Sequence, residues 1–572
     1  MTMAEKPNIL LLLVDEMRYP PLYEKADIRV WREQNLVTQQ WLRDNGLEFH
    51  RHYIGSAACA PSRTTLFTGH YPSLHGVTQT NGIAKQAADS DMFWLDRNTV
   101  PTMGDYFREA GYRTFYKGKW HLSYEDIIVP GTQQGLPSYN PATGYPDHNQ
   151  DLYENADRLE AFGFSSWIGP EPHGRNPRDS GSSAGSGASG RDEFYAAETV
   201  QLIEALEQNK LGGDDESPWL IVTSLVNPHD ITLYGDLTAR IPAFRFDVGP
   251  VPDIDPPPTR HENLHTKPRC QASYRDLYPV ALQPITNEPF YRKLYYQLQK
   301  NADEQLRKVV EALARTSFYE DTIIILTSDH GDLLGSHGGL HQKMYCVYEE
   351  VLRVPLLVCN KKRFPEPRSV HSLTSHLDLL PTLLGLAGIN SDEIRGRLDS
   401  RFSEARPLIG RNLAGAMSMQ PEPEAPVYFM TDDDIMRGQH QISPVGIPYP
   451  SVAQPNHIET VIAPLYRNGH KEYWKLSRYY DNPQFWSEPG ILDVTYAPVK
   501  GGQDNKEIAW ASRVRTVPVQ EEYELYSLTD DPLETRNLAN PAYSATYMEE
   551  FALMMNLLTE QRSRKRLAPG RN

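Results

Sequence analysis

Asn8-Ile-Leu-Leu-Leu-Leu-Val14, followed at once by Asp15-Glu16, is the stretch that decides the fold class. An apolar run without alternation reads as a strand buried on both faces, and such strands belong to parallel sheets covered by helices. The pattern returns at Trp219-Leu-Ile-Val-Thr-Ser-Leu-Val226, Thr322-Ile-Ile-Ile-Leu-Thr327 and Val354-Pro-Leu-Leu-Val358. Helical stretches lie between these runs. Thr99 is expected to cap a helix with Pro101 in its first turn and Gly111 beyond its end. Leu294, Leu298, Leu306, Val309, Val310 and Leu313 recur at helical spacing just before the third run. The alternation predicts an α/β domain with a mostly parallel central sheet flanked by helices.

Working outward, Ser180 to Gly190 is almost wholly Ser, Gly and Ala and is expected to be a mobile loop. Gly249 to Arg260 carries five prolines and reads as an extended excursion. The Arg-, Pro- and Glu-rich stretch from Ser391 to Pro426 holds the expected domain boundary, giving a catalytic domain at 1–415 and a smaller α+β domain at 416–572. Short strands are expected at Val427–Met430 and Trp474–Leu476, and an amphipathic helix at Met548–Leu558.

The 572 residues carry 57 basic and 74 acidic side chains, a net charge of −17, with no long Lys/Arg run. That composition speaks against a nucleic-acid partner. No apolar run approaches a membrane span, so no membrane partner is expected. Cys59, Cys270, Cys346 and Cys359 show neither a CxxC pair nor zinc spacing, and Cys346 and Cys359 are expected to be buried and inert. A cytoplasmic location follows as the expectation. His75 and His337 are assigned no role, while Asp332 is expected to orient a neighbour.

Ligands in open α/β sheets bind beyond the carboxyl ends of the strands. Asp15-Glu16 end the first run and Asp329-His330 the third. Neighbouring strands would gather hard oxygen ligands and one imidazole, a set suited to a divalent cation. Cys59-Ala-Pro-Ser-Arg63…Thr68-Gly69 begins what reads as a short helix opened by Pro61. This segment closely resembles the C-x-P-S-R-x-x-x-x-T-G motif of the type I sulfatases. The resemblance continues at Gly111-Tyr-Arg-Thr-Phe-Tyr-Lys-Gly-Lys119-Trp-His121-Leu122, Asn227-Pro-His229, Asp329-His-Gly331, Lys343 ahead of Arg353-Val-Pro355, and Leu525-Tyr526…Asp531-Pro-Leu-Glu534…Asn537-Leu538.

The resemblance implies an alkaline phosphatase-like fold and a sulfatase acting on small-molecule sulfate esters. It implies oxidation of Cys59 to formylglycine by a formylglycine-generating enzyme, and one divalent metal per chain on Asp15, Glu16, Asp329, His330 and residue 59. Arg63, Lys119, His121, His229 and Lys343 match the family's sulfate-handling positions. The Asp-His pair and Lys343-Met344 are similar to choline sulfatases and phosphonate monoester hydrolases of the same superfamily. Calcium is the family's usual ion; an imidazole ligand suits manganese better. Relatives with the Asp-His pair tend to be dimers or tetramers, and the Glu521–Asn572 tail is a candidate for reaching a neighbouring subunit. A phosphodiesterase, a two-metal phosphomonoesterase and a non-catalytic binding scaffold are the competing readings. The chain keeps Cys59, Lys119 and the metal carboxylates, which a non-catalytic scaffold would be expected to lack.

Overall fold

In the computed structural model β1 (Asn8–Asp15) is buried at every position. The structure describes residues 6–140, 142–172, 179–181, 190–213, 216–418, 424–467, 469–481, 493–498, 508–513 and 518–570. Residues 182–189 of the Ser/Gly-rich loop lie outside them. β1 is joined in one sheet by β2 (Leu47–Phe49), β3 (Arg113–Gly118), β4 (Trp219–Pro228), β5 (Thr322–Ser328), β6 (Leu356–Cys359) and β7 (Arg368–Val370). The order is β3-β4-β1-β5-β6-β2-β7. β3, β4, β1 and β5 run parallel. β6 is antiparallel to both its neighbours, and β2 and β7 are parallel to each other. The run at Val354 therefore gives a strand of opposite direction, shortened to start after Pro355, which has no N–H for a ladder.

Burial of both faces of β1 explains why Ile9 to Val14 holds no polar residue. Ile9, Leu11 and Leu13 pack with Leu66 and Phe67 of the Cys59–Thr68 helix on one face. Leu10, Leu12 and Val14 pack on the other with the helices Arg191–Gly212 and Glu288–Ala314. The latter carries Leu294 to Leu313 on its buried stripe, as their spacing predicts.

The helix expected from Thr99 begins later: it spans Met103–Glu109 and is capped by Thr102. The Thr102 hydroxyl accepts from the Gly104 and Asp105 N–H groups, while Asp105 accepts from the Thr102 N–H. This reciprocal cap outcompetes Thr99, with Pro101 held outside the helix. Thr102→Ala is expected to cost about 1 kcal/mol of stability, read as a lower urea midpoint; an unchanged midpoint would deny the cap its role.

A second, antiparallel sheet orders Val427–Thr431, His457–Arg467, His470–Tyr480 and Glu522–Ser527. The helix Met548–Lys565 covers one face through Met554 and Leu558. The tail helix thus packs on its own chain. The opposite face, with Phe429, Ile458 and Tyr479, packs on Tyr274, Tyr345 and Val351 of the larger domain. Among the described residues no helix is long and apolar enough to cross a membrane.

Candidate active site

β1 and β5 pair in register up to Val14 opposite Ser328, so both strands end at the same level. Asp15 and Asp329 emerge side by side, each fully buried. On the other side of β1 the register shifts after Leu13 and brings Asp15 opposite Pro228, beside His229.

The third contributor is the Cys59–Thr68 helix, all ten residues of which are buried. It begins two residues before Pro61, which sits in the first turn where its missing N–H leaves no bond unmade. Thr64 and Thr68 satisfy their hydroxyls on the Ala60 and Thr64 carbonyls, and Gly69 closes the helix at φ 68°. Ser62 donates to the Asp329 carbonyl at 2.5 Å, fastening this helix to the end of β5. The Cys59 Sγ then lies 3.0 Å from His330 Nε2.

Asp15, Cys59, Asp329 and His330 each bring one ligand atom into a group no wider than 4.8 Å. The His330 Nδ1 lies 3.0 Å from the Gly331 carbonyl. A carbonyl only accepts, so Nδ1 carries the hydrogen and Nε2 turns its lone pair inward, as a metal-binding imidazole must. Asp15 Oδ1 is buried with no hydrogen-bond partner among the described residues. That orphaned oxygen, the lone pair and the hard-oxygen donor set fit a divalent cation. Glu16 belongs to a second, overlapping group that could likewise hold a metal ion, with Asp15 and His229, and its Oε2 lies 3.0 Å from Lys343 Nζ.

Cations enclose the acids. Arg63 is fully buried and donates from Nη1 to Asp329 at 2.9 Å, from Nε to the Trp120 carbonyl at 3.0 Å, and from Nη2 to the Lys119 carbonyl and Ser224. Lys119 Nζ reaches Asp15 Oδ2 at 2.5 Å. Burial pushes the Asp15 carboxyl up, but Lys119, His229, His330 and Arg63 together hold it well below the usual carboxylate range. Burial pushes Glu16 well above that range, against the pull of Lys343. Burial likewise holds His229 well below the ordinary imidazole value, with Lys119 adding to it. The Cys59 thiol is pushed up to about 11 by burial, so as a bare thiol it is a poor nucleophile at neutral pH.

His121 leaves the end of β3 in a left-handed conformation, φ 61°, as Glu16 does after β1 at 73°. Such backbone is costly for residues other than glycine and is held by its surroundings. Glu171 supplies that hold at His121, accepting from the Trp120 and His121 N–H groups at 3.0 and 2.9 Å. His121 Nε2 lies 2.6 Å from Asn81 Oδ1. As the amide oxygen accepts, Nε2 donates and Nδ1 carries the lone pair.

Asn81, Glu171, Ser224 and Asp433 were not singled out from sequence. Asp433 accepts from the Ala58 N–H at 3.1 Å, one residue before Cys59. Its signal is an acidic residue just past an apolar strand, Val427–Thr431, much as Asp15 ends β1. Ser224 interrupts an apolar run, the usual mark of a buried polar contact. Glu171 and Asn81 lie on irregular chain with no pattern to mark them.

His337 is buried behind this centre. Its ring stacks on Tyr348 at 3.5 Å, with Nδ1 3.0 Å from Glu262 and Nε2 3.5 Å from Glu350. Burial disfavours its charge, but the two carboxylates outweigh it and raise its pKa to about 9. The folded value lies above the unfolded one of about 6.5, so this stabilisation is fully present below about pH 6.5 and lost as pH rises through about 9. His337→Gln is therefore expected to lose stability at pH 6 and to lose progressively less as pH rises from about 6.5 through about 9. A pH-independent deficit in urea unfolding would contradict the charge pairing.

The Sulfatase family model matches residues 7–389. The chain is 29% identical over 398 residues to the uncharacterized sulfatase YidJ of Escherichia coli, covering 68% of this chain and 69% of that one. It is 26% identical over 405 residues to a choline-sulfatase of Rhizobium meliloti, with the same coverage. Among solved structures, a 2-O GAG sulfatase superposes with a TM-score of 0.59 at 20% identity, covering 98% of this chain and 93% of the other. The phosphonate monoester hydrolase of Agrobacterium radiobacter superposes at 0.53 with 19% identity, covering 97% and 96%.

Proposed function

The chain belongs to the sulfatase family and is a sulfuric ester hydrolase, and on that premise we propose that it cleaves aryl or alkyl sulfate monoesters at residue 59. The observation that carries this reading is the place of Cys59, inside a cluster of two carboxylates and an imidazole with buried ammonium groups beside it. Asp15, Glu16, Asp329, His330 and residue 59 would hold one divalent ion, calcium by family habit and manganese as the alternative. When bound, that ion would lower the pKa of a hydroxyl at residue 59 and offset the charge of the ester. Oxidised by a formylglycine-generating enzyme, residue 59 would offer a hydrated aldehyde, one hydroxyl to attack sulfur and a second whose deprotonation expels sulfate.

The remaining work falls to this chain's own side chains. Arg63 pins Asp329 and, at 3.6 Å, Asp15. It aims both acids and offsets their charge. Lys119 and Lys343 hold the non-bridging ester oxygens as charge builds on them. His229, neutral near pH 7, donates its N–H to the leaving oxygen. His121, with its Nδ1 lone pair, takes the proton of the second hydroxyl.

The Asp-His pair, with Glu16 set against Lys343, favours a second reading of the same centre. A phosphonate monoester or phosphodiester carries one negative charge at the reacting group, as a sulfate monoester does. We hold promiscuity toward these esters as part of the proposal, and choline sulfate as one substrate to test. Aryl sulfate, choline sulfate and an aryl phosphonate monoester assayed side by side decide between them. The sulfatase reading expects the highest kcat/KM on a sulfate; a phosphonate preference would overturn it. A homo-dimer or homo-tetramer is proposed from the family resemblance alone.

A further inference from the structure

A cavity of about 370 Å³ opens between the Tyr19–Tyr23 segment and the C-terminal sheet, within the range of about 300–1,000 Å³ found for ligand sites. Two arginines line it, Arg51 and Arg353. The Arg51 guanidinium lies 4.0 Å from the centre of the Tyr473 ring, and that of Arg353 lies 4.1 Å from the centre of Tyr19. Each guanidinium is thereby held over an aromatic ring.

The charges in the lining are unevenly committed. Glu349 is occupied by Lys475 at 3.1 Å and the Tyr53 hydroxyl at 3.1 Å. Glu350 is occupied by the Tyr23 hydroxyl at 3.2 Å and His337 at 3.5 Å. Arg353 approaches Glu349 only to 3.9 Å and spends its Nε on the His50 carbonyl. Arg51 donates to the His371 carbonyl at 3.0 Å and makes no ion pair among the described residues. The cavity thus presents guanidinium donors in excess of its free carboxylates. Pro21, Leu22, Pro532 and Leu533 add an apolar wall. An in-plane N–H fork suits an oxyanion, an open guanidinium face suits a ring, and the Pro/Leu wall suits a ring without hydroxyls.

We propose that this cavity is a second binding site, separate from the catalytic centre, for an aryl oxyanion: its sulfonate, sulfate or carboxylate on Arg51 and Arg353, its ring against the apolar wall. The proposal stands whether or not residue 59 works as described above.

Benzenesulfonate tests it, because its carbon–sulfur bond offers no ester to hydrolyse. Calorimetric titration of the full chain is expected to resolve two classes of site, the catalytic centre and the cavity. Arg51→Gln, and independently Tyr473→Leu, are expected to weaken one class about tenfold or more and leave turnover of a sulfate ester unchanged. Inorganic sulfate is expected to bind the cavity far more weakly than the aryl sulfonate. The proposal is overturned by a single class of site in the parent protein, by titrations unchanged in both variants, or by inorganic sulfate binding the cavity as tightly as benzenesulfonate.

Discussion

Asp329→Asn is expected to strip most of the metal from the protein and to cut kcat/KM on a sulfate ester by about 10³-fold or more, with the fold intact. The size follows from losing a ligand charge at a site whose chemistry is electrostatic. The fold should survive because asparagine keeps an oxygen for the two bonds Asp329 Oδ1 accepts, from the Glu16 N–H at 3.1 Å and the His330 N–H at 2.9 Å. Arg63 loses one partner but retains the Trp120 and Lys119 carbonyls and Ser224. Metal analysis beside the rate measurement separates the causes. A variant with full metal and full activity would remove Asp329 from the ligand set; full metal with lost activity would make it a charge partner of Arg63 alone.

Cys59→Ser is the second large effect. It should fold and bind metal nearly as the parent does, since the serine hydroxyl is smaller than the thiol and sits at the same first helical turn. Attack on sulfur remains open to it. What serine lacks is the geminal hydroxyl whose deprotonation releases sulfate by C–O cleavage. A sulfated serine should therefore accumulate, giving at most one burst per chain followed by stalling, the mark of a trapped covalent intermediate. If water instead attacked the ester of residue 59, the serine enzyme would keep cycling. Sustained turnover by Cys59→Ser would therefore defeat the proposed release step.

The parts legible in the sequence are those where the pattern and the contact coincide. β1 announces itself because both its faces are buried, and Asp15 and Asp329 because parallel neighbours end at one level. The Cys59 segment is legible through its resemblance to the sulfatase motif; its residues alone show only a short helix opened by Pro61, and the partners of Arg63, on Asp329, Trp120, Lys119 and Ser224, come from elsewhere in the chain. Strand direction is harder to read: Leu356–Cys359 has the same apolar run whether it lies parallel or antiparallel to β5. Helix starts are decided by which hydroxyl completes a cap, and Thr102 wins over Thr99 through Asp105. Glu16 shows the limit within the site itself. Adjacent in sequence to Asp15, it takes a left-handed backbone, and its carboxylate turns toward Lys343 and His229. Nothing in a two-residue acidic pair reveals that turn. Asn81 and Glu171 act on His121 from irregular chain, where neither period nor motif marks a position.

The proposed mechanism rests on the chemical state of residue 59. The mass of the peptide containing Cys59, taken from enzyme whose turnover has been measured in the same preparation, tests it most directly. The aldehyde of formylglycine is expected, in a fraction that rises and falls with specific activity across preparations. Fully active enzyme carrying only the unmodified thiol would contradict it.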